Sequence, residues 1–310
     1  MLLILHSNMS ADIRKYKVAE HVFAIEMDAC SALWENIGKS YGPFQVRVSD
    51  DSDLLFRAKV CDECQKPDGM ALVYSNADDV EPGYVVHDVY KGEAGHYFEF
   101  TQPWSVGVNG RLFLSDDLKD ARLSLHGNDM EKWNTFTVGM NFCFMLATSC
   151  MDTVFFHSSC VEYQGKAYMF LGKSGTGKST HSRMWQEALE GVSLMNDDHP
   201  IVRIDESGQV RAYGSPWSGK TPCYRNVSAP VGGIVRISRA PYNKARRLSP
   251  VEAYASIMTS CSGMTWERDM ADGRDRTMQG IIRNVPCWVM ECLPDNDAAV
   301  VCADAVTKVL

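Results

Sequence analysis

The feature that most constrains this 310-residue chain is the run Gly-Lys-Ser-Gly-Thr-Gly-Lys-Ser at residues 172–179. An apolar, strand-like run at 167–171 precedes it, and a helix-like run at 180–190 follows it. Glycines at both ends let consecutive backbone N–H groups turn inward, while the next helix directs the positive end of its dipole to the same point. The pattern predicts a strand, a phosphate-binding loop and a helix. The alternative is a strand-to-helix turn that binds nothing.

The residues of this loop have distinct expected contributions. The backbone would surround a polyphosphate, Lys178 would reach its outer phosphates, and the Ser179 hydroxyl would be a ligand of Mg²⁺. ATP and Mg²⁺ are therefore the predicted cofactors. The nucleotide-binding residues predicted from the run are Gly172, Lys173, Ser174, Gly175, Thr176, Gly177, Lys178, Ser179 and Thr180.

Charge and cysteine content exclude several classes of partner. The formal net charge is −8, whereas nucleic acids and anionic membranes require a concentrated basic face. No apolar run is long enough to cross a bilayer. Eleven cysteines are scattered along the chain, without a secretory leader and without the density of a small disulfide-rich domain. We expect a cytoplasmic protein without nucleic-acid or membrane partners, and a homo-oligomer is compatible with the sequence.

Hydrophobic patterns divide the chain into three parts. Short β-rich segments separated by turn residues fill residues 1–127, which we expect to form a mainly β N-terminal domain. Apolar residues at helical spacing then predict a buried connecting helix at 128–150. Strands and helices alternate over 151–310, the predicted nucleotide-binding domain. The expected fold class is α/β, or mixed α+β.

Within the third part we predict a strand at 153–163 that pairs with 166–171 through the turn Gln164-Gly165. A further strand covers 192–196, and a hairpin joins 200–204 to 209–213. Ser249-Pro250-Val251-Glu252 predicts a capped helix start. A helix at 276–283 and a last helix from residue 298, capped by Asp297, complete the chain.

Asp197 and Asp198 follow the strand at 192–196, about one helix away from Ser179. A carboxylate at a strand end can share the metal held at a phosphate loop, which makes Asp197 a candidate Mg²⁺ ligand together with Ser179. Its neighbour can accept the proton of an attacking hydroxyl. Because adjacent anions raise one another's proton affinity, a division of roles is physically reasonable. The alternative is an ordinary polar turn.

His157 lies on the strand that precedes the loop-bearing strand. If those strands are neighbours, its imidazole can end near the phosphates as a metal ligand, proton carrier or phosphate contact. The alternative is a hydrogen-bonded core histidine. The predicted catalytic set is Asp197, Asp198, His157 and Lys178.

The series from His157 through Gly172–Ser179 to Asp197-Asp198 resembles the catalytic core of the HPr kinase/phosphorylase family. It is also similar to ATP-dependent phosphoenolpyruvate carboxykinase, whose core has the same order of motifs. The resemblance covers residues 153–310 and implies the nucleotide-binding fold that these families share. It further implies phosphate contact by Lys178, metal binding by Ser179 and an aspartate, and an aspartate as the base. For His157 it implies a supporting metal or proton role.

The sequence departs from both families in its acceptor region. It is shorter than a carboxykinase and lacks the Pro-Gly-Arg-Asn element of HPr kinases. The segment 214–220, followed by Arg225, resembles a loop of small HPr-kinase-like proteins, where Lys220 and Arg225 can bind a phosphate or carboxylate. Both can equally be solvated surface cations.

The predicted activity is transfer of a phosphoryl group from ATP to a hydroxyl of an unidentified small molecule or protein. ADP and pyrophosphate remain open as donors. Two alternatives are a nucleotide-binding regulatory protein without turnover, which needs Lys178 only, and a carboxykinase-like enzyme.

Overall fold

The computed structural model describes residues 11–78, 80, 84–219 and 221–308. The chain divides into two units, Met1–Ala147 and Thr148–Leu310. Each unit is built on one large sheet in which parallel and antiparallel strands are combined. The chain is therefore a mixed α/β protein.

In the described part of the first unit there are nine strands, two α-helices and one short 3₁₀-helix. Parallel pairing joins β2 to β4 and β4 to β9, and the other neighbours in this sheet are antiparallel. The sheet order is β3-β1-β2-β4-β9-β8-β7-β6-β5. The elements are β1 Ala11–Val18, β2 His21–Asp28, α1 Leu33–Ser40, the 3₁₀-helix Gly42–Phe44, β3 Gln45–Val46, β4 Leu54–Cys61, β5 Ala71–Ser75, β6 Val86–Gly92, β7 Gly95–Thr101, β8 Gly110–Ser115, β9 Asp120–Leu125 and α2 Asp129–Thr148.

Helix α2 begins with a reciprocal cap and buries its aromatic side chains. The Asn128 side chain accepts a hydrogen bond from the backbone N–H of Glu131, and the Glu131 carboxylate accepts one from the N–H of Asn128. This arrangement satisfies donors that a helix start leaves free. Further along, Phe144 packs edge-on against Phe23 of β2, and both rings are fully buried. Burial of aromatic area of this kind supplies much of a domain's hydrophobic stabilisation.

The second unit contains the remaining strands and helices. Its main sheet order is β10-β14-β15-β16-β12-β11-β13, and β18 lies next to β16 with β17 beside it. Parallel pairing joins β12 to β16 and β16 to β18. The elements are β10 Thr153–Phe155, β11 Ser158–Tyr163, β12 Lys166–Leu171, α3 Lys178–Ala188, β13 Ser193–Asp198, β14 Ile201–Ile204, β15 Val210–Tyr213, β16 Ser228–Arg239, β17 Lys244–Arg247, α4 Pro250–Met258, α5 Arg268–Asn284, β18 Cys287–Cys292 and α6 Asn296–Thr307.

Helices cover both faces of this second sheet. On one face Phe170 of β12 packs with Trp185 of α3 and with residues of α6 such as Cys302. On the other face Met169 packs with residues of α4 and α5, including Ile257. Strand β12 is therefore buried on both sides from Ala167 to Leu171, which explains why that run is continuously apolar rather than alternating. No helix within the described ranges combines the length and apolar content needed to cross a membrane.

Three sequence predictions for this unit were wrong in detail. The strand expected at 153–163 is two strands, because the N–H of Phe156 donates to Pro200 and that of His157 donates to Ser260 instead of continuing one ladder. Helix α5 starts at Arg268, eight residues before the expected start at 276. Asp297 does not cap the last helix, since the carboxylate of Asp295 accepts the hydrogen bond from the N–H of Ala298 at 2.9 Å.

Candidate functional site

The glycine loop, residues 172–177, connects β12 to α3 at the carboxyl end of β12. A Cβ on Gly172 would lie 2.4 Å from the Thr176 hydroxyl oxygen, which itself donates to the carbonyl of Lys173 at 2.8 Å. Gly177 precedes the first residue of α3 with φ of +108°, a conformation that favours glycine. The loop therefore needs glycine at position 172 because a larger side chain would not fit, and at position 177 because the backbone has a positive φ.

Lys178 opens helix α3, but its side chain turns back over the loop. Its ammonium donates to the carbonyls of Gly172 at 3.0 Å and Lys173 at 3.5 Å. Burial lowers the pKa of Lys178, and the charges of Asp198 and Asp197 oppose that effect. A partly buried cation thus lies beside backbone N–H groups at the start of a helix, where anions are favoured.

Ser179 and Asp197 meet because α3 is fixed to the sheet one turn further along. Ser182 donates to Ser159 of β11 at 2.6 Å, and Ser159 is the register partner of Asp197 in β13. Residues 179 and 182 lie on one face of a helix. Ser179 Oγ consequently reaches Asp197 Oδ1, 2.9 Å away.

The neighbouring carboxylate, Asp198, lies between two imidazoles. Its Oδ1 is 3.2 Å from Nε2 of His157, and its Oδ2 is 3.1 Å from Nδ1 of His199. The two rings are nearly parallel, at 13°. The three side chains are between 31% and 37% exposed, so a ligand can reach them from solvent.

Two physical properties distinguish Asp198. Burial would raise its pKa, but hydrogen bonds from His157 and His199 outweigh burial and hold the pKa of Asp198 well below its ordinary value. Its backbone has φ of +125°, which is rare for a residue other than glycine and costs about 1–3 kcal/mol. Strain of this kind persists only where the surrounding contacts fix the residue, and it is concentrated at functional sites.

Those fixing contacts come from the segment after β15. Asp198 forms a single bridge pair with Ser218, and the N–H of Gly219 donates to the carbonyl of Asp197 at 2.7 Å. A Cβ on Gly219 would lie 3.0 Å from the Cβ of Asp198. The backbone of the acid pair is therefore held from outside its own strand.

Asn196 and His199 belong to this site but were missed by the sequence analysis. The fully buried Asn196 amide donates to the carbonyl of Trp217 at 2.9 Å and to the Ser215 hydroxyl at 3.2 Å. Its carbonyl oxygen accepts from the N–H of His199 at 2.9 Å. Asn196 thus joins the segment at 215–217 to the residue that contacts Asp198. The signals available in the sequence were a polar residue at the end of a buried strand and a histidine directly after two acids.

The structure brings the predicted residues together in two groups. Lys178, Ser179 and Asp197 adjoin the glycine loop, and Asp198 and His157 form a second group. Arg225 instead donates to the carbonyl of Leu194. Lys220 lies outside the described residues. The remaining predicted nucleotide-binding residues are the loop residues Lys173, Ser174, Gly175 and Thr176, and Thr180 on the first turn of α3.

Mg²⁺ fits the donors near the loop. Among the described residues, no group of three or more His, Cys, Asp or Glu side chains could hold a metal ion. Mg²⁺ is usually held by only one or two protein ligands together with waters and substrate phosphates. Adjacent ligands of an octahedral ion with bonds of about 2.0–2.1 Å lie roughly 2.8–3.0 Å apart. Ser179 Oγ donates a hydrogen bond to Asp197 Oδ1 at 2.9 Å, so the two oxygens already lie close enough together to be neighbouring ligands of one ion.

Comparisons with known proteins complete the description of the site. No protein-family model matches the sequence, and no curated protein matches it. Among solved structures, the chain is similar to the Hpr(Ser) kinase/phosphatase from Coxiella burnetii at 11% identity, with a TM-score of 0.29. That match covers 49% of this chain and 88% of the other. A likeness of this extent assigns no activity to the chain, whose chemistry is set by its own residues.

Proposed function

We propose that this protein is a phosphotransferase that moves a phosphoryl group from ATP to a hydroxyl group of a small molecule or protein. The observation that carries the proposal is that the two neighbouring acids, Asp197 and Asp198, have different side-chain partners. Asp197 contacts Ser179 at the glycine loop, and Asp198 contacts two imidazoles that solvent reaches. One carboxylate is thus available to a metal ion and the other to an acceptor.

The part of the proposed site that binds the phosphoryl donor consists of the glycine loop, the first turn of helix α3 and the Lys178 ammonium. Loop N–H groups and the Lys178 ammonium would bind the phosphates and neutralise the charge on the transferred group, which is the larger part of catalysis in such reactions. Lys178 would exchange the carbonyls of Gly172 and Lys173 for phosphate oxygens. Ser179 and Asp197 would hold Mg²⁺, which supplies further neutralisation of phosphate charge.

At the acceptor end, Asp198 orients the hydroxyl and receives its proton. The new bond forms between the hydroxyl oxygen and the terminal phosphorus, the bond from that phosphorus to the leaving oxygen of the donor breaks, and ADP departs. The lowered pKa of Asp198 keeps the carboxylate ionised at neutral pH. Because the same shift makes the carboxylate a weaker base, the proton is passed on to the adjacent imidazoles. His157 and His199 lie against its two oxygens and are partly exposed, so they connect the proton to solvent.

In this proposal residues 151–310 form an HPr-kinase-like nucleotide-binding domain, residues 1–127 form the mainly β N-terminal domain, and the helix at 128–150 connects them. All eleven cysteines are free thiols. Free thiols support a reducing compartment, the cytoplasm, as the place of activity.

The test compares the unchanged protein with Lys178→Ala and a matched control, Lys166→Ala. Lys166 is exposed at the opposite end of β12, so the control removes the same charge away from the loop. ATP binding with Mg²⁺ is measured by calorimetry. Phosphoryl transfer is measured as ADP release with free serine, small hydroxy acids and proteins as acceptors.

We expect the unchanged protein and Lys166→Ala to bind ATP alike. Lys178→Ala should bind about 10- to 100-fold more weakly, because a hydrogen bond to a charged group contributes about 1.5–3 kcal/mol. ATP binding without transfer to any acceptor would favour a regulatory protein over an enzyme. Absence of ATP binding by the unchanged protein would refute the proposal.

A further inference from the structure

Arg239, the last residue of β16, contacts the glycine loop from a neighbouring strand. Strand β16 runs parallel to β12, with Arg236 opposite Leu171, the residue before the loop. Three residues further, the Arg239 guanidinium donates to the carbonyl of Gly175. The carboxyl ends of these two parallel strands therefore meet at the loop, as is usual for ligand sites of α/β sheets.

No acidic side chain among the described residues compensates the charge of Arg239. Within the part of the chain that the structure describes, Arg239 forms no ion pair, and the Gly175 carbonyl is its hydrogen-bond acceptor. A guanidinium has five N–H donors, so several remain for a ligand. By contrast, Arg236 on the same strand donates to both the side chain and the carbonyl of Ser256. Arg239 is also exposed, whereas Arg236 is partly buried.

We propose that Arg239 supplies a second cation, in addition to Lys178, for the polyphosphate of the donor nucleotide. This inference rests on the proposed function and adds a binding residue that the glycine loop does not contain. A planar guanidinium matches phosphate oxygens with two parallel hydrogen bonds. The contact with Gly175 holds the side chain beside the loop before the donor arrives, so less conformational freedom is lost on binding.

The experiment separates the charge of Arg239 from its contact with Gly175. Arg239→Ala removes both. Arg239→Gln removes the charge but keeps an N–H donor for the Gly175 carbonyl. Arg239→Lys keeps the charge but lacks the paired N–H donors of the guanidinium. Each variant is titrated by calorimetry with ATP and, separately, with inorganic tripolyphosphate, at one fixed Mg²⁺ concentration. Thermal unfolding confirms that each variant is folded.

Arg211→Ala is the matched control. Arg211 lies opposite Pro230 near the start of β16, at the other end of the strand from Arg239. The control removes one partly buried arginine from the same unit without touching the loop. We expect its affinity for both ligands to stay within about twofold of the unchanged protein, since distant surface charges are screened by salt.

We expect Arg239→Ala and Arg239→Gln to bind both ligands about 10- to 100-fold more weakly and Arg239→Lys to be intermediate. Full affinity in Arg239→Gln would overturn the inference, because it would show that Arg239 only holds the loop through its hydrogen bond and does not bind phosphate. A loss confined to ATP would place the contact on the nucleoside and would also overturn it. Unchanged binding by Arg239→Ala together with weakened binding by Lys178→Ala would end this inference alone. Failure of the unchanged protein to bind either ligand would end the proposed function with it.

Discussion

Asp198→Asn should abolish most of the phosphoryl transfer while leaving ATP binding intact. The carboxylate contacts His157 with one oxygen and His199 with the other. Asparagine offers a single acceptor oxygen, so one imidazole would face an N–H₂ group instead. Asparagine also tolerates positive φ better than most residues, so the backbone at φ of +125° need not move. The substitution therefore removes the proton acceptor with little change of shape.

The size of the effect follows from the role of the carboxylate. A positioned proton acceptor contributes about 10²- to 10⁴-fold to rate, equivalent to roughly 2.7–5.4 kcal/mol of barrier. The ATP affinity should change less than about threefold, because the loop and Lys178 keep their contacts. Stability should fall by about 1 kcal/mol or less, since the lost hydrogen bond is partly exposed to solvent.

The assay is steady-state transfer from ATP to the best acceptor, with kcat and KM determined separately and ATP binding measured by calorimetry. Asp272→Asn, an exposed position on α5, is the control for loss of one negative charge. Transfer by Asp198→Asn within about fivefold of the unchanged protein would refute the role given to this carboxylate. Loss of ATP binding in this variant would equally contradict the division of the site into donor and acceptor ends.

Three further outcomes are expected. Gly172→Ala should weaken ATP binding at least tenfold in calorimetry, because its Cβ would lie 2.4 Å from the Thr176 hydroxyl oxygen and displace the loop; affinity equal to that of the unchanged protein would contradict this geometry. The free energy of unfolding, measured with denaturant, should be about 0.5–2 kcal/mol higher for Asp198→Gly than for Asp198→Ala, because only glycine relieves the strain at φ of +125°. The reverse order would show that no strain is stored there. The pKa of Asp198 is lowered only in the folded state, so its contribution to stability is complete above the ordinary aspartate value of about 3.8 and declines as pH falls further. Between pH 4 and pH 2 the free energy of unfolding should therefore fall more steeply in the unchanged protein than in Asp198→Asn, and parallel pH profiles would contradict the lowered pKa.

Local patterns in the sequence were sufficient for the elements around the glycine loop. The apolar run before the loop and the glycines within it correspond to β12 and the turn into α3. The capping box predicted at Ser249 is present, with Glu252 and Ser249 bonded to each other's backbone N–H groups. Each of these features depends on residues only a few positions apart, so short-range chemistry determines them.

Elements that depend on distant partners could not be predicted in the same way. Helix α5 contains Gly273 and Gly280 and many charged residues, which lower its intrinsic helix propensity. Both glycines are explained by packing: a Cβ on Gly273 would lie 2.4 Å from the carbonyl oxygen of Ser149, and one on Gly280 would lie 2.5 Å from Cδ1 of Ile204. The apolar alternation of strand β1 is weak, because Arg14 lies on the same face of the strand as the buried Tyr16 and Val18. In both elements tertiary contacts decide the outcome.

The candidate site shows the same limit. Asp197, Asp198 and His157 were chosen from the sequence, but the partner of each acid depends on strand register. Ser158 is paired with both Leu171 and Asp198, which fixes the distance between the loop and the acid pair. His199 could not be ranked above other histidines without knowing that the N–H of this residue bonds to Asn196.

The separate partners of Asp197 and Asp198 have a consequence for how this architecture can diversify. The carboxylate of Asp197 contacts Ser179 of helix α3, whereas the carboxylate of Asp198 contacts His157 and His199. Substitutions of the side chains around one carboxylate leave the side-chain partners of the other carboxylate in place. Evolution or protein engineering can therefore change the residues around one carboxylate while keeping those around the other.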